Sequence, residues 1–404
     1  MLEQGPLTRS QLRNLTGLSA PTVADLVHRL ESAGLVGPVG ESGSERRGPN
    51  ARLYGVVADR AHVAGVDVRH DQVRAVVTDL TGREAGTAVV AQDPRVPPDQ
   101  LVRNAIDGAL GDAGLAPDRL RMVVVGTPGL VDPATGDVTF VASLPTWTAN
   151  LLPGLRERYG ERVLLENEVN LAGIAEHRLG AARGRDTFAL MSLGTGIGVS
   201  IILNGRVHRG ASGGAGEVAY VPYRPGSFQD LAGGDAVVEL AERHGLPGSI
   251  EDVGAIVAVA VEQIERVGRD GAGGPGGGGP QDSVDVRQDS VDVRQDSVDA
   301  GQRPVDGRFD GAGFLRDLAD RISAGAAAVC AVLDPGYLVL AGEVGRAGGA
   351  VLADHVGERL AELVPLPTVV AASDVGGNPV VRGAVLVALD HVHRETFGLS
   401  SGSS

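Results

Sequence analysis

Short apolar runs that end in glycine-rich or acidic turns constrain the fold of this chain more than any other feature. From residue 61 onward these runs alternate with helical segments. Such alternation is typical of an α/β fold, in which ligands bind at the turns that follow the strands. The predicted strands are 63–68, 73–80, 87–90, 122–126, 162–166, 187–192, 199–203 and 337–340. The predicted helices are 101–113, 167–179, 314–333 and 383–393.

The first 56 residues are organised differently and predict a winged helix-turn-helix domain. Thr8 and Gln11 fit a capping box at the start of a short helix, and Gly17 can take the positive φ of the following turn. Ser19 can cap a second helix, with Pro21 in its first turn. The apolar residues of this second helix have the spacing of one buried face; they are Val23, Leu26, Val27 and Leu30.

In a helix-turn-helix the second helix enters the major groove of DNA with its N-terminus first. Two strands at 35–36 and 51–56 would form a wing whose loop carries arginines that can reach phosphates or a minor groove. The residues predicted to contact DNA are Ser19, Ala20, Pro21, Thr22, Arg46 and Arg47. Seven residues precede Thr8, so we expect the helix that usually comes before this motif to be truncated or to begin upstream.

The formal charge of −15 argues against a general nucleic-acid binder. The charge is uneven, however, because residues 1–55 hold six arginines and five carboxylates. The acidic excess therefore lies in the rest of the chain. We expect the head to face DNA and the acidic body to face away from the phosphates.

Several short motifs follow the head in a fixed order. They are Gly65-Val66-Asp67, Pro128-Gly129-Leu130-Val131-Asp132, Leu144-Pro145-Thr146-Trp147, Asn167-Glu168-Val169-Asn170, the glycine turn 194–198 and Gly216-Glu217. With the winged head, they resemble the ROK family (repressors, open reading frames and sugar kinases) from about Leu7 to Leu389. The resemblance is to its winged-helix transcriptional regulators, such as xylose and N-acetylglucosamine repressors. It implies an actin/hexokinase-like (ribonuclease H-like) body of two α/β lobes.

This resemblance implies a division of the chain into a head and two lobes. The predicted parts are the DNA-binding domain 1–56, a first lobe 57–180 joined by a C-terminal helix in 383–404, and a second lobe 181–382. An insertion at about 268–313 interrupts the second lobe. It repeats Gln-Asp-Ser-Val-Asp-Val-Arg, and its valines lie two residues apart rather than at coiled-coil positions. We predict a disordered surface loop, with partner binding as the alternative.

The turn after the first strand departs from the kinases of the family. The resemblance implies Asp-x-Gly-Gly-Thr there, whose glycines let the backbone approach a phosphate, but the turn reads Asp67-Val68-Arg69-His70-Asp71. The second glycine turn, with Gly194, Thr195 and Gly196, is intact. It is either a phosphate cradle or a tight hairpin that the fold requires. We predict that Asp67 and these three residues form a vestigial phosphate site.

The resemblance also implies a ligand pocket that contains Ser143, Asn167, Glu168 and Glu217. Glu168 stands at the position of the catalytic base, where the kinases have an aspartate that is one methylene shorter. A misplacement of about 1 Å can cost ~100-fold in rate. We therefore predict no catalytic residue and no enzyme activity.

The zinc region of the family is also altered. Tyr220 stands where the family has a histidine that binds both zinc and sugar, and the cysteine-rich segment that should follow is absent. Cys330 is the only cysteine, which excludes a disulfide within the chain and a cysteine-based zinc site. We predict no metal and no cofactor.

The chain begins without a basic, apolar leader, and its most apolar stretch, 324–340, is interrupted by Asp334 and Pro335. We expect a cytoplasmic protein without contact to a membrane.

Three functions remain open at this point. The leading one is a repressor of carbohydrate-related genes that binds a double-stranded DNA operator as a homodimer or homotetramer and responds to a sugar or sugar derivative. The second is an ATP-dependent sugar kinase with an accessory DNA-binding head. The third is a constitutive DNA binder whose body only dimerises.

Overall fold

The computed structural model describes residues 1–2, 4–42, 51–140, 147, 151–246, 253–271 and 309–398. Several predicted features lie outside these residues: Arg46 and Arg47 of the wing, Ser143 of the ligand pocket, and the repeated segment 281–301.

The head consists of two helices and a three-stranded antiparallel sheet in the order β1-β3-β2. Its elements are β1 Leu7–Thr8, α1 Arg9–Thr16, α2 Ala20–Ser32, β2 Val36–Ser42 and β3 Ala51–Val56. Thr8 and Gln11 form the predicted capping box, and Gly17 has a φ of 69°. Ser19 caps α2 by accepting a hydrogen bond from the backbone N–H of Thr22. The two predicted helices and the turn between them thus follow from local capping, which is consistent with a winged helix-turn-helix.

Two predictions for the head were wrong. Leu26 was expected in the buried face of α2, but it is 37% exposed because it faces an open apolar cavity. Val23 and Val27 are buried as predicted, against Val36. The first wing strand continues to Ser42 instead of ending at Val36, because its backbone pairs with β3 along this whole length.

The first body sheet has five strands in the order β6-β5-β4-β7-β10. They are β4 His62–Val68, β5 Gln72–Asp79, β6 Glu84–Ala91, β7 Leu120–Thr127 and β10 Val163–Asn167. The strands β4, β5 and β6 are antiparallel, whereas β7 and β10 continue from β4 in parallel. One face is covered by α3 Pro98–Ala113 and α4 Leu151–Tyr159, and the other by α5 Glu168–Leu179 and α11 Pro379–Phe397. A small hairpin of β8 Leu130–Val131 and β9 Val138–Phe140 follows β7.

The second body sheet repeats this arrangement in the order β13-β12-β11-β16-β17. Its strands are β11 Phe188–Leu193, β12 Ile197–Leu203, β13 Arg206–Val207, β16 Tyr337–Ala341 and β17 Val369–Ala372. The other elements are the hairpin of β14 Pro222–Tyr223 and β15 Gly226–Ser227, and the helices α6 Phe228–Ala232, α7 Gly234–Arg243, α8 Val253–Gly271, α9 Gly311–Leu333 and α10 Gly342–Leu363. When the five strands of each sheet are numbered in the order in which they occur in the chain, both sheets have the spatial order 3-2-1-4-5. The predicted α/β class is confirmed.

The helix α5 connects the two halves of the body. Leu171 packs into the core beneath the first sheet, whereas Val169 and Ala172 pack against the second sheet. Its N-terminus therefore lies at the junction of the two sheets, and this places Glu168 between them.

Two predicted boundaries need correction. The insertion is narrower at both ends than the predicted 268–313. At its start, α8 extends to Gly271. At its end, the side chain of Gln263 forms hydrogen bonds with the backbone of Phe309 and of Gly311, the first residue of α9. The C-terminal helix begins at Pro379, because Asn378 caps it, so the predicted boundary at 382 falls inside α11. No helix in the described part of the chain is long and apolar enough to cross a membrane.

Candidate ligand cleft and DNA-contacting surface

A cleft of about 280 Å³ lies where strands of the two body sheets end. The strands β4, β11 and β16 all finish at this cleft, which is where α/β folds bind ligands. Five of the predicted site residues line it: Asp67, Glu168, Gly194, Thr195 and Gly196. The fold thus brings together positions that are far apart in the sequence.

Glu168 is the first residue of α5 and provides a buried carboxyl group to the cleft. Its Oε2 atom is buried and has no hydrogen-bond partner within the described structure. Burial raises the pKa of Glu168, and the negative charges of Asp67 and Glu217 add to this effect, so that the pKa reaches about 8. At neutral pH this group is therefore mostly protonated and can donate a hydrogen bond to a ligand oxygen.

Asn167 has a structural role beside Glu168. Its Oδ1 atom caps α5 by accepting hydrogen bonds from the backbone N–H groups of Val169 and Asn170, at 2.8 and 3.1 Å. Its Nδ2 atom donates to the carbonyl oxygen of Gly129 at 2.9 Å. These bonds fix the helix N-terminus and the 128–132 turn to one another. The predicted contact of Asn167 with a ligand stays a prediction.

Glu217 and Tyr220 differ in how far they are exposed. Glu217 is half-buried, and burial raises its pKa. Its charge contributes to the raised pKa of Glu168, so the two carboxyl groups lie in one electrostatic environment. Tyr220 is 56% exposed. Tyr220 thus faces solvent, while Glu217 remains near the cleft.

The first predicted phosphate turn is filled by its own side chains. Asp67 is 1% exposed, and its Oδ2 atom accepts hydrogen bonds from Nε of Arg69 at 3.0 Å and from Nδ2 of Asn378 at 2.6 Å. The guanidinium of Arg69 also lies 4.0 Å from the carboxylate of Glu343, at the start of α10. Arg69 therefore spans the cleft from the first sheet to the second.

The glycine turn between β11 and β12 remains open on the cleft side. A Cβ atom at Gly196 would meet no other atom within 4 Å. A Cβ atom at Gly194 would lie 3.5 Å from Oε2 of Glu343, which shows that this carboxylate stands beside the turn. The carbonyl of Thr195 accepts a hydrogen bond from Gln229, which holds the turn against α6. A negative charge beside the turn disfavours binding of a second anion.

A buried ion pair next to the cleft was missed by sequence reasoning. Glu166 is almost fully buried at the end of β10, and it pairs with Nε of Arg209 at 2.9 Å. Glu166 also accepts a hydrogen bond from Nδ2 of Asn170 at 3.0 Å. Arg209 belongs to the loop that follows β13 and leads to Glu217. A carboxylate at the end of an apolar strand was the only signal in the sequence, because its partner is 43 residues away.

The predicted DNA-contacting residues that the structure describes lie at the exposed N-terminus of α2. These are Ser19, Ala20, Pro21 and Thr22. The hydroxyls of Ser19 and Thr22 are 2.7 Å apart, so they stabilise the first turn of the helix. Two exposed arginines of α1, Arg9 and Arg13, were not predicted as contacts. Arg9 stacks over the ring of Tyr54 at 5.0 Å, which leaves its charge at the surface of the head.

Across the described residues, no group of three or more His, Cys, Asp or Glu side chains is placed to hold a metal ion.

Residues 63–233 match the sequence profile of the ROK family. The chain contains a ROK family domain. It is 28% identical to the xylose repressor of Bacillus subtilis over 225 residues. These aligned residues cover 55% of this chain and 58% of that protein. It is 25% identical over 232 residues to the DNA-binding transcriptional dual regulator NagC of Escherichia coli, with 55% of each protein covered. The chain thus spans a little over half the length of these relatives.

Solved structures share the fold of the ROK domain. A ROK family transcriptional regulator, a homolog of the E. coli MLC protein, superposes with a TM-score of 0.66 at 18% identity and covers 96% of this chain and 93% of that one. A ROK family glucokinase from Streptomyces griseus, in complex with glucose and AMPPNP, gives a TM-score of 0.59 at 24% identity, with 82% and 100% covered. These likenesses confirm the predicted two-lobed kinase-like body.

Proposed function

We propose that this protein is a DNA-binding transcriptional regulator, a repressor of carbohydrate-related genes, whose ROK body senses a sugar or related small molecule without catalysis. The observation that carries the proposal is the side-chain bridge from Asp67 through Arg69 towards Glu343. This bridge occupies the end of the cleft at which a kinase would hold nucleotide phosphates. A body that binds a ligand but no nucleotide can sense the ligand without consuming it.

The chemistry of the cleft supports a polyhydroxylated ligand. Glu168 supplies a hydrogen-bond donor when protonated, and Glu217 supplies an acceptor when ionised. Sugar hydroxyls both donate and accept, so a hydroxyl in the cleft can pair with Glu168 in the electrostatic environment that Glu217 helps to set. The names of the xylose repressor and of NagC agree with this class of regulator.

The head supports binding to the major groove of DNA. The exposed N-terminus of α2 presents short side chains from Ser19 to Thr22, and two arginines of α1, Arg9 and Arg13, are exposed on the same head. We propose that a homodimer presents two heads to two half-sites, since operators read by such motifs mirror the two-fold symmetry of the protein. Ligand binding would act through a different affinity for the two arrangements of the heads.

Fluorescence anisotropy tests this proposal directly. The full chain is titrated onto labelled DNA from upstream of its own gene, at two salt concentrations, with and without D-xylose, D-glucose or N-acetyl-D-glucosamine. We expect tight, salt-sensitive binding that one sugar weakens by about 5- to 150-fold. Binding that no sugar changes would favour the constitutive DNA binder. Affinity no higher than for random DNA would overturn the regulator.

A sugar kinase is the second candidate, because the glycine turn at 194–196 is open and Glu168 lies in the cleft. A carboxyl with a pKa near 8 does not by itself exclude a general base. Arg69 extends across the end of the cleft at which a kinase would bind phosphates, and this position argues against the kinase. A coupled ATP assay with the same sugars decides the matter: turnover that disappears in Glu168→Gln would establish the kinase.

A further inference from the structure

One helix contacts both the cleft and the head. The first turn of α11 lines the cleft with Pro379 and Val380. Its last turn lines the apolar cavity of the head with Thr396 and Phe397. The helix has nineteen residues in all, which corresponds to a length of about 28 Å.

The cleft end of α11 is attached to the residue that anchors the bridge. Asn378 caps the helix by accepting the backbone N–H of Val381 at 3.0 Å, and its amide donates to the buried carboxylate of Asp67 at 2.6 Å. Asp67 also accepts from Arg69, which extends towards Glu343 of the second sheet. A change in the separation of the two sheets would therefore act on Asp67 and, through Asn378, on the helix.

The middle of α11 is packed too closely to absorb such a displacement. A Cβ atom at Gly383 would lie 2.0 Å from the carbonyl oxygen of Leu171 in α5. A Cβ atom at Gly65 in β4 would lie 2.8 Å from the side chain of Val385. The helix thus contacts α5 and β4 with almost no clearance. Interiors packed in this way move as rigid units rather than deforming locally.

The far end of α11 belongs to the surroundings of the DNA-contacting helix. Thr396 and Phe397 line a cavity of about 430 Å³ together with Leu26 and Leu30 of α2. Val56, the last residue of the wing strand β3, packs against the apolar core beneath α11. A shift of the helix would therefore reach α2 and the wing together.

We propose that α11 is the element that couples the cleft to the DNA-binding head, with Asn378 as the positioning residue at its cleft end. This inference rests on the proposed regulator function and assigns the route of its regulation. A ligand that changes the separation of the sheets alters the Asp67–Asn378 contact, and the rigid helix moves its last turn against α2.

The test is hydrogen exchange of the α2 backbone amides in the full chain, measured without ligand for Asn378→Ser. Serine keeps an N-cap acceptor but is too short to reach Asp67. We expect the hydrogen-exchange rates of the backbone amides in Ala20–Ser32 to rise about threefold to tenfold. This factor is the change in the local opening equilibrium that the loss of one hydrogen bond would cause. Asn378→Asp, which keeps the cap and places a carboxylate against Asp67, should give at least the same rise. The matched control is Asp310→Ala, which removes the cap of α9, a helix of the second half, and should leave exchange in α2 unchanged.

A second variant checks that the effect passes through the helix end. In a Phe397→Ala background, Asn378→Ser should raise exchange in α2 by a clearly smaller factor than it does in the unmodified chain. Unchanged exchange in both Asn378 variants, or the same increment in both backgrounds, would overturn the proposal. If the DNA binding of the wild-type protein responds to none of D-xylose, D-glucose and N-acetyl-D-glucosamine, the proposal that the body senses one of these sugars is wrong. The exchange data still decide the role of the helix in that case.

Discussion

The two halves of the body contain equivalent hairpins with opposite character. In the first sheet, β4 and β5 are joined by Arg69, His70 and Asp71. In the second sheet, with the same strand order, β11 and β12 are joined by Gly194, Thr195 and Gly196. The first turn is filled by its own ion pair with Asp67, whereas a Cβ atom would fit freely at Gly196 in the second.

This difference shows that one strand order supports either a closed or an open turn. The backbone of the sheet fixes where each hairpin ends, and only the side chains decide whether an anion can approach. The second turn faces the carboxylate of Glu343, so the open hairpin also lacks a favourable electrostatic environment for phosphate. The comparison predicts a cleft that binds neutral ligands and discriminates against nucleotides.

The largest expected effect concerns the buried carboxyl group between the two hairpins. Its pKa is raised to about 8, so the folded protein keeps a proton on Glu168 that the unfolded chain loses above its ordinary pKa of 4.5. The unfolded state binds fewer protons between pH 4.5 and pH 8, so the contribution of Glu168 to the free energy of unfolding is full below pH 4.5 and is lost as the pH rises towards 8. Glu168→Gln should remove this loss and make the protein more stable than wild type at pH 8, by on the order of 3 kcal/mol.

Urea unfolding at pH 4.5 and pH 8 measures this difference. Glu362→Gln on exposed α10 is the control and should behave as wild type at both values. Identical pH dependence in wild type and Glu168→Gln would show that this carboxyl is hydrated and ionised in the folded protein.

The second prediction tests what holds the loops of the two halves together. Arg209→Met leaves Glu166 buried without its cation and should lower the free energy of unfolding by about 2 kcal/mol, since Arg209 itself is partly exposed. The control is Arg178→Met, which breaks the exposed pair with Asp390 and should cost less than about 0.5 kcal/mol. Equal effects of the two variants in thermal unfolding would mean that Glu166 does not depend on Arg209.

The third prediction tests the comparison of the hairpins directly. In wild type, AMPPNP should not raise the melting temperature. Arg69→Gly combined with His70→Gly and Glu343→Gln gives the first turn the open character of the second and removes a carboxylate that Arg69 faced, so AMPPNP should then raise the melting temperature measurably. The control is His70→Gly alone, which keeps Arg69 across the cleft. Strong stabilisation of wild type by AMPPNP would show that the first hairpin is not closed to phosphates and would favour the kinase.

The smallest effect is expected at the head, away from both hairpins. Ser19→Ala removes the cap of α2 and should cost about 1 kcal/mol, whereas Ser19→Asn keeps the cap and should cost little. Thermal unfolding and anisotropy on operator DNA are measured for both variants. If Ser19→Asn weakens DNA binding while stability is kept, Ser19 contacts DNA. If both variants bind DNA as wild type does, Ser19 serves only as a cap.

Local signals in the sequence predicted much of this protein. The capping residues Thr8 and Ser19 predicted both helices of the head, because an N-cap acts within three residues of itself. Alternating apolar runs and turns predicted most body strands for the same reason. Leu26 was misplaced, because the spacing of residues along a helix does not show whether its apolar face is covered.

The tertiary structure alone decided which distant residues meet. The contact of Asp67 with Asn378 joins positions 311 residues apart, and the pair of Glu166 with Arg209 joins two halves of the body. Neither contact has a periodic signature, because each depends on where separate elements pack in space. The sequence by itself therefore determined the elements, their caps and the turns of the cleft. Packing decided the charge state of Glu168, the bridge across the cleft and the helix that joins it to the head, since burial and long-range pairing exist only in the folded chain.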